Sequence, residues 1–480
     1  MSKSIKKNTI LNAIKTLSAI IFPIITLPYV NRVLLPDNVG KVDFAKTFVG
    51  YFALIASLGI STYAVRICSA NKDNKEKLSN TASQLYSINM IMSVVAYASL
   101  IITLIFFRKF DSYRVLIIIE SMTIMGTTIG ADWLNSAMED FKYITIRSVG
   151  FQFLALILMF ILVHEPDDYI KYAVINVISS TGACIANYFY RKRYCDVRFT
   201  TKIDWKLHVA PVICLFVMML SQTIFNSVDI TMLGMMWNDY EVGIYSTAHK
   251  VTLMIGKVVQ SLAMVIIPRL SYYFAKNDFD GANKLLRKVL LFNIGLGLPC
   301  VIGVIMMADD IAFLAGGKEF MAAGPVIRIL ILSFMFSLVG GSFLGNAILI
   351  PTKQEKHYMI VCCITAVANF LLNLVLIPKL AATGAAISTA FNGFIIMLLL
   401  FLKVDKRIKI ERIPSVFIGP LIGCAAVAGC CYAFSFVDNI WARVIGSVGS
   451  SVIAYGLILL MTKNEFGTEI MRTLGGKFKK

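Results

Sequence analysis

Charge is scarce in this chain of 480 residues: Asp, Glu, Lys and Arg make up only 15%, against about 25% in soluble proteins. Hydrophobic residues make up 58%, more than the interior of a soluble globule hides, and a disordered chain needs the opposite balance. Histidine is rarer still. The four present, His164, His208, His249 and His357, are scattered, with no H-E-x-x-H and no Cys/His cluster at metal spacing, so neither a metal nor a cofactor is expected. The G-x-x-x-x-G-K-[ST] phosphate loop is also missing. GGKEF at Gly316 and GGKFK at Gly475 lack its spacing and hydroxyl, which excludes ATP hydrolysis by the chain itself. The ten cysteines fall in apolar runs or, for Cys68 and Cys195, in short basic loops, and imply no disulfide framework. There is no Ser/Pro-rich linker, low-complexity tract or loop long enough for a soluble catalytic domain.

What fills the chain is apolar runs of membrane-crossing length. Fourteen stretches of about 20 residues, enough to cross roughly 30 Å of hydrocarbon as helix, lie at about 10–31, 47–65, 84–107, 115–135, 146–163, 170–190, 210–236, 245–268, 289–308, 324–350, 358–378, 382–402, 414–436 and 444–462. The net charge of +18 resides in the loops between them. Counting Arg147 and Lys171, at the edges of their spans, with the adjoining loops, the N-terminus, alternate loops and C-terminus hold 32 of the 46 Lys and Arg; the opposite loops hold 10, and 4 lie within spans. By the positive-inside rule both ends are cytoplasmic, and the basic balance signals topology, with no nucleic-acid partner. Lys3 to Lys7 before the first run imitate a signal peptide, but the run is long and lacks a small-residue cleavage site, so it reads as an uncleaved first helix.

A weak internal repeat organises the spans. Val39, Gly40 and Ala45 in VGKVDFAKT recur 203 residues on as Val242, Gly243 and Ala248 in VGIYSTAHK, and Arg66 recurs as Arg269. TGACIANYF from Thr181 matches TGAAISTAF from Thr383 at an offset of 202. The repeating unit is six spans, an even number, so both copies enter from the cytoplasm and are related by an axis along the membrane normal. The expected fold is an all-α integral membrane protein of two parallel six-helix lobes, residues 1–205 and 206–402. Two further helices and a basic cytoplasmic tail occupy 403–480. Gly40 and Gly243 are expected to be flexible corners, and Pro23 and Pro28 to let the first helix bend.

Ionisable residues within spans are expensive in hydrocarbon and mark cavities or pathways: Lys15, Glu120, Asp132, Asp229, Lys250, Lys257 and Arg328. Gln222, Asn226 and Asp229 fall at i, i+4 and i+7 on one face of the seventh span; Lys250 and Lys257 share a face of the eighth, with Ser261 a turn further. Glu120 aligns with Thr123 and Thr127, and Asn12 lies beside Lys15 and Thr16. Asp132 and Arg328 sit near span ends, where pairing or snorkelling is the plainer role, and Lys250 is also close enough to its end to snorkel. Lys257 and Asp229 lie deeper and read as cavity residues able to neutralise one another. In GTTIG at Gly126 and GSFLG at Gly341 the small residues read as close helix contacts.

The strings DWLNSAMEDFKYITIR (Asp132 to Arg147), NSVDITMLG (Asn226 to Gly234) followed by VGIYSTAHK, and GAAIST (Gly384 to Thr389) resemble oligosaccharide flippases of the multidrug/oligosaccharidyl-lipid/polysaccharide exporter superfamily. The resemblance covers nearly the whole chain. It implies a six-plus-six-plus-two bundle that moves a polyprenyl-diphosphate-linked oligosaccharide from the cytoplasmic to the outer leaflet of the inner membrane for surface polysaccharide assembly. Membrane lipid, and a polysaccharide polymerase with other assembly proteins, are the implied partners. Lys15, Lys250, Lys257, Arg328, Asp229, Asn226 and Gln222 are then the candidate substrate-binding residues, and Asp229 and Glu120 the candidate coupling residues. A drug/cation antiporter of the same superfamily, which would favour an acidic, aromatic cavity, and a membrane enzyme acting on lipid-linked sugar are the rival readings.

Overall fold

The structure, a computed structural model, describes residues 2–264, 266–405, 407–408, 413–462 and 464–468. The side chains of Lys3 to Lys7, Asn12 and Ser261, and the basic tail from residue 469 onward, lie outside this description. Every regular element among the described residues is helical. This is the expected all-α class, since a bilayer offers backbone groups no partner but the helix's own. Eleven helical segments among them are long and apolar enough to cross a membrane. Exposed apolar side chains such as Val94, Ile105, Ile157, Val452 and Met461 run along these helices, as a hydrocarbon solvent permits.

The chain divides into two compact units, Met1–Gly243 and Ile244–Lys480. The first opens with α1 (Ser2–Ser57), whose helical backbone persists through Pro23 and Pro28. It breaks at Leu35, with φ of 63°, the residue before Pro36 and so a position where the proline ring disfavours the α conformation. The second part of α1 therefore begins near residue 36, about ten residues earlier than its apolar run suggests, and it stops at Leu58 and Gly59, both left-handed. There follow α2 (Ile60–Ala70), α3 (Lys75–Phe106), α4 (Arg114–Gly130), α5 (Trp133–Ala137), α6 (Phe141–Leu162), α7 (Tyr169–Val177) and α8 (Ala183–Tyr190), then α9 (Trp205–Met236). Polar loop residues start these helices. Asn74, Asp140 and Asp204 accept the backbone N–H of Lys77, Tyr143 and Leu207 at 3.0, 3.2 and 3.2 Å, satisfying donors that a helix start leaves open. On α4, Gly126 and Gly130 lie directly against Thr181 and Cys184, the close approach that small residues allow.

The basic segment after α8 is extended and strapped to α3. Ser79, Ser83 and Ser87 accept the backbone N–H of Asp196, Arg198 and Thr200 at 3.3, 3.1 and 2.7 Å. The match is metrical: two residues of extended chain advance about 6.6 Å, and four residues of helix about 6.0 Å.

Gly40 and Gly243 are not corners. Both lie within helices, and a Cβ on Gly40 would collide with the Asp239 carbonyl, one on Gly243 with the Pro36 carbonyl. They mark a reciprocal close contact between the second part of α1 and the start of α10 (Asp239–Met264).

The second unit continues α10 and adds α11 (Ile267–Ala275), α12 (Phe279–Met306), α13 (Ala308–Gly316), α14 (Ala323–Ser337), a π-helical stretch from Leu338 to Leu349, α15 (Glu355–Phe401), α16 (Ile413–Phe434) and α17 (Ile440–Met461). α15 is broken at Ala381, where φ is 48°. After α17 the chain folds back: Phe466, 1% exposed, packs edge-on against Phe292 at 5.5 Å. Arg287 beside it holds Glu465 by two bonds of 2.9 and 2.8 Å.

Candidate functional site

In the first unit the polar residues singled out fall into four groups. Lys15 is half-buried on the first part of α1, where Ser18 donates to its carbonyl at 2.8 Å. On α9, Gln222 and Asn226 are exposed and linked, the Asn226 amide donating to the Gln222 carbonyl at 2.7 Å, whereas Asp229 is 2% exposed. The common face thus passes from solvent into packing, where Asp229 acts electrostatically on Tyr51 and the Tyr51 hydroxyl meets Thr231 at 2.9 Å.

The third group surrounds Glu120, buried on α4 with its Oε1 lacking a hydrogen-bond partner among the described residues. Asp43 and Lys46, one turn apart on the second part of α1, are the charged groups that act on it, and Tyr172 of α7 lies within reach of all three. Sequence reasoning missed Asp43 and Lys46 because the apolar run starting near 47 left them in a loop. Pro36, a helix-starting residue, was the available signal.

Asp132 and Arg147 form a two-pronged ion pair at 2.9 and 2.7 Å, with the guanidinium buried. Next to it, at the ends of α6 and α8, the Asp140 carboxylate accepts the hydroxyls of Tyr190 and Tyr194 at 2.8 and 2.6 Å. Burial pushes the Asp140 carboxyl up, but the hydroxyls of Tyr194 and Tyr190, the Tyr143 N–H and the charge of Arg193 together hold it below the usual range. These residues fasten the loop that carries the DWLNSAMED string.

In the second unit Lys250 is half-buried and Lys257 exposed on one face of α10. Arg328 on α14 donates to the Asp309 carboxylate at 2.6 Å and to the Ile305 carbonyl at 3.3 Å, so its charge is already matched. A buried uncharged cluster was not singled out from the sequence. Thr365, Asn369 and Asn373 follow at i, i+4 and i+8 in the first part of α15, and Ser388 and Asn392 at i and i+4 in the second, all 1% exposed or less. Neither amide atom of Asn392 has a partner among the described residues. The fourfold spacing of amides on an apolar helix was the signal.

An apolar groove of about 510 Å³ lies among α12, α16 and α17, lined by Leu296, Val304, Val427, Val448, Tyr455 and Phe466. Its polar atoms are engaged, Tyr455 donating to the Gly295 carbonyl at 2.5 Å, so it offers nothing to recognise a polar head group. Among the described residues no group of three or more His, Cys, Asp or Glu is placed to hold a metal.

A family model described as polysaccharide biosynthesis protein matches residues 5–274, and a second, MatE, matches residues 214–375. A putative O-antigen transporter of Shigella dysenteriae is 22% identical over 82% of this chain and 98% of its own length. The capsular polysaccharide biosynthesis protein CapF of Staphylococcus aureus is 22% identical over 76% of this chain and 90% of its own. Among solved structures, the lipid II flippase MurJ in an inward closed conformation superposes with a TM-score of 0.76, at 16% identity, over 97% of this chain and 99% of that one. That likeness establishes the fold.

Proposed function

The chain belongs to the polysaccharide biosynthesis protein family, and from that premise we propose that it is a flippase. It carries a polyprenyl-diphosphate-linked oligosaccharide from the cytoplasmic to the outer leaflet of the inner membrane. The observation that carries this reading is the alignment with an O-antigen transporter over nearly that protein's whole length. The physical task fits a transporter rather than an enzyme. A diphosphate and its sugars do not cross hydrocarbon unaided, whereas the prenyl chain is at home there. With the interior negative, outward movement of a divalent head group is favoured by about 4.6 kcal/mol per 100 mV if its charge moves uncompensated.

The arrangement proposed is fourteen spans with both termini cytoplasmic, in lobes 1–205 and 206–402 followed by helices 13 and 14. The uneven Lys and Arg distribution supports the topology. The break at Leu35, the break at Ala381 and the counting of α10 as a span lead from eleven apolar segments to fourteen. The reciprocal contact of Gly40 with Asp239 and Gly243 with Pro36 is what a parallel repeat produces at its axis. In this reading Lys257 and Lys250 meet the diphosphate, and Lys15, Gln222 and Asn226 are further substrate-binding residues. Asp229 and Glu120 take part in coupling; Arg328 contributes by tying α14 to α13 through Asp309. Transport proceeds by alternating access, with a polymerase and other assembly proteins receiving the product.

The MatE match to residues 214–375 keeps a drug/cation antiporter as the second reading. Depletion of the protein in its own cell separates the two. A flippase leaves a lipid-linked oligosaccharide accumulating in the inner leaflet; unchanged lipid-linked pools together with lost cation-dependent dye efflux overturn the flippase reading.

A further inference from the structure

Each unit carries one short two-sided helix directly before a long apolar one. In the first unit α2 is set off from α1 by Leu58 and Gly59 and leads into α3. In the second, α11 leads into α12 and opens with Pro268 in its first turn, where a missing N–H costs nothing. With 11 and 9 residues, about 16 and 14 Å, neither helix can cross roughly 30 Å of hydrocarbon. Ile60, Tyr63, Ala64 and Cys68 bury one face of α2, and Leu270 and Phe274 one face of α11. The opposite faces expose Arg66 on α2, and Arg269 and Tyr272 on α11, with Lys276 just past its end. Arg66 and Arg269 are the arginines that the internal repeat relates.

All three cations lie on tyrosine rings of these two helices. The Arg66 guanidinium is 5.6 Å from the centre of the Tyr63 ring, that of Arg269 6.0 Å from Tyr273, and the Lys276 ammonium 4.6 Å from Tyr272. Among the described residues none of the three forms an ion pair with a carboxylate, whereas Lys72 reaches Glu139 at 3.7 Å and Arg198 reaches Asp196 at 2.5 Å. A ring face attracts the charge but leaves the N–H donors able to meet anionic oxygens. We propose that α2 and α11 are interfacial helices that seat the phosphate head groups of anionic phospholipids in the cytoplasmic leaflet, through Arg66 in one unit and through Arg269 and Lys276 in the other. Cations and aromatic rings on the polar side of a short amphipathic helix suit the head-group layer, and the negative surface of the inner leaflet supplies the matching charge. The leaflet assigned here rests on the topology proposed above; the binding itself depends neither on that topology nor on the cargo.

The test is photolabelling of the full-length protein in phosphatidylcholine nanodiscs that contain a phosphatidylglycerol with a photoactivatable head group. Nanodiscs present both leaflets and need no transport, so the outcome is separate from the success or failure of the flippase reading. Wild type should be labelled within 60–70 and 267–276, and unlabelled phosphatidylglycerol should compete. Arg66→Gln should lower labelling of α2 alone and Arg269→Gln that of α11 alone, each roughly fivefold, the worth of one cation near an anionic surface. Such a local change also excludes general misfolding as its cause. Lys276→Gln should act on α11 as Arg269→Gln does, and Arg66→Lys should keep most of the label on α2. Replacing Lys142, Lys202 and Lys206, exposed cations away from both helices, by Gln should leave both labelled segments unchanged. Labelling that survives Arg66→Gln and Arg269→Gln, or that falls as far in the Lys142, Lys202 and Lys206 variant, overturns the proposal. So does displacement of the label by a polyprenyl diphosphate at amounts where phosphatidylglycerol displaces none, since the sites would then belong to the cargo.

Discussion

Substituting Gly40 and Gly243 by alanine separates packing from flexibility. Each glycine lies inside a helix with a backbone carbonyl where its Cβ would go, Asp239 against Gly40 and Pro36 against Gly243. A backbone atom cannot rotate away as a side chain does. The helices must move apart, at a cost near the upper end of the 1–3 kcal/mol typical of overpacking, so about 3 kcal/mol for each variant. Both substitutions open the same contact. Once one has forced the separation the second meets less resistance, and the double variant should cost less than the sum by roughly 0.5–3 kcal/mol. Denaturation in detergent, followed by the reactivity of buried thiols such as Cys68 and Cys184, measures all three variants. If the glycines served as hinges, alanine would slow transport and leave stability intact. Unchanged stability in both single variants refutes the packing argument.

Changing Lys257 to Ala should weaken capture of the lipid-linked substrate roughly 10- to 100-fold, the worth of one charge-assisted hydrogen bond, with normal membrane insertion; unaltered transport removes Lys257 from the site. Asp140→Asn should destabilise the loop between α5 and α6 by about 1–2 kcal/mol at neutral pH through weaker bonds from Tyr190 and Tyr194, read as faster proteolysis there. Because the folded carboxyl is held below its ordinary value, that stabilisation is complete above about pH 4 and is lost as pH falls through the folded value. Loop protection that already declines as the pH falls from about 8 to about 5 would contradict the assignment. Phe466→Ala removes a fully buried ring packed against Phe292 of α12, worth roughly 3–5 kcal/mol in a core, and should free residues 464–468 to exchange amide hydrogens; retained protection would show that the Arg287–Glu465 pair suffices.

The all-helical class was legible because apolar runs of membrane length admit no other structure. Where helices begin was less so. Pro36 sets the break at Leu35, yet hydropathy over 32–46 is diluted by Arg32, Lys41 and Lys46, so a helix reads there as a loop and the Glu120 cluster loses two of its members. α10 shows the reverse. The spacing of Lys250 and Lys257 revealed its polar face while those charges kept it from qualifying as an apolar span. Gly40 and Gly243 were found by their repeat but misjudged, since glycine permits both a turn and a close contact and only the neighbouring chain decides. Arg328 shows the limit of reading one helix at a time, because its partner Asp309 lies on another.

The central claim is tested most directly by reconstituting the purified full-length protein in sealed liposomes. A polyprenyl-diphosphate-linked oligosaccharide is placed in both leaflets, and an added impermeant enzyme or lectin scores the accessible fraction. The account predicts that the protein makes nearly all of the substrate accessible, against about half in empty liposomes, without ATP. An accessible fraction that stays at the empty-liposome value, with the protein folded and inserted, would contradict it.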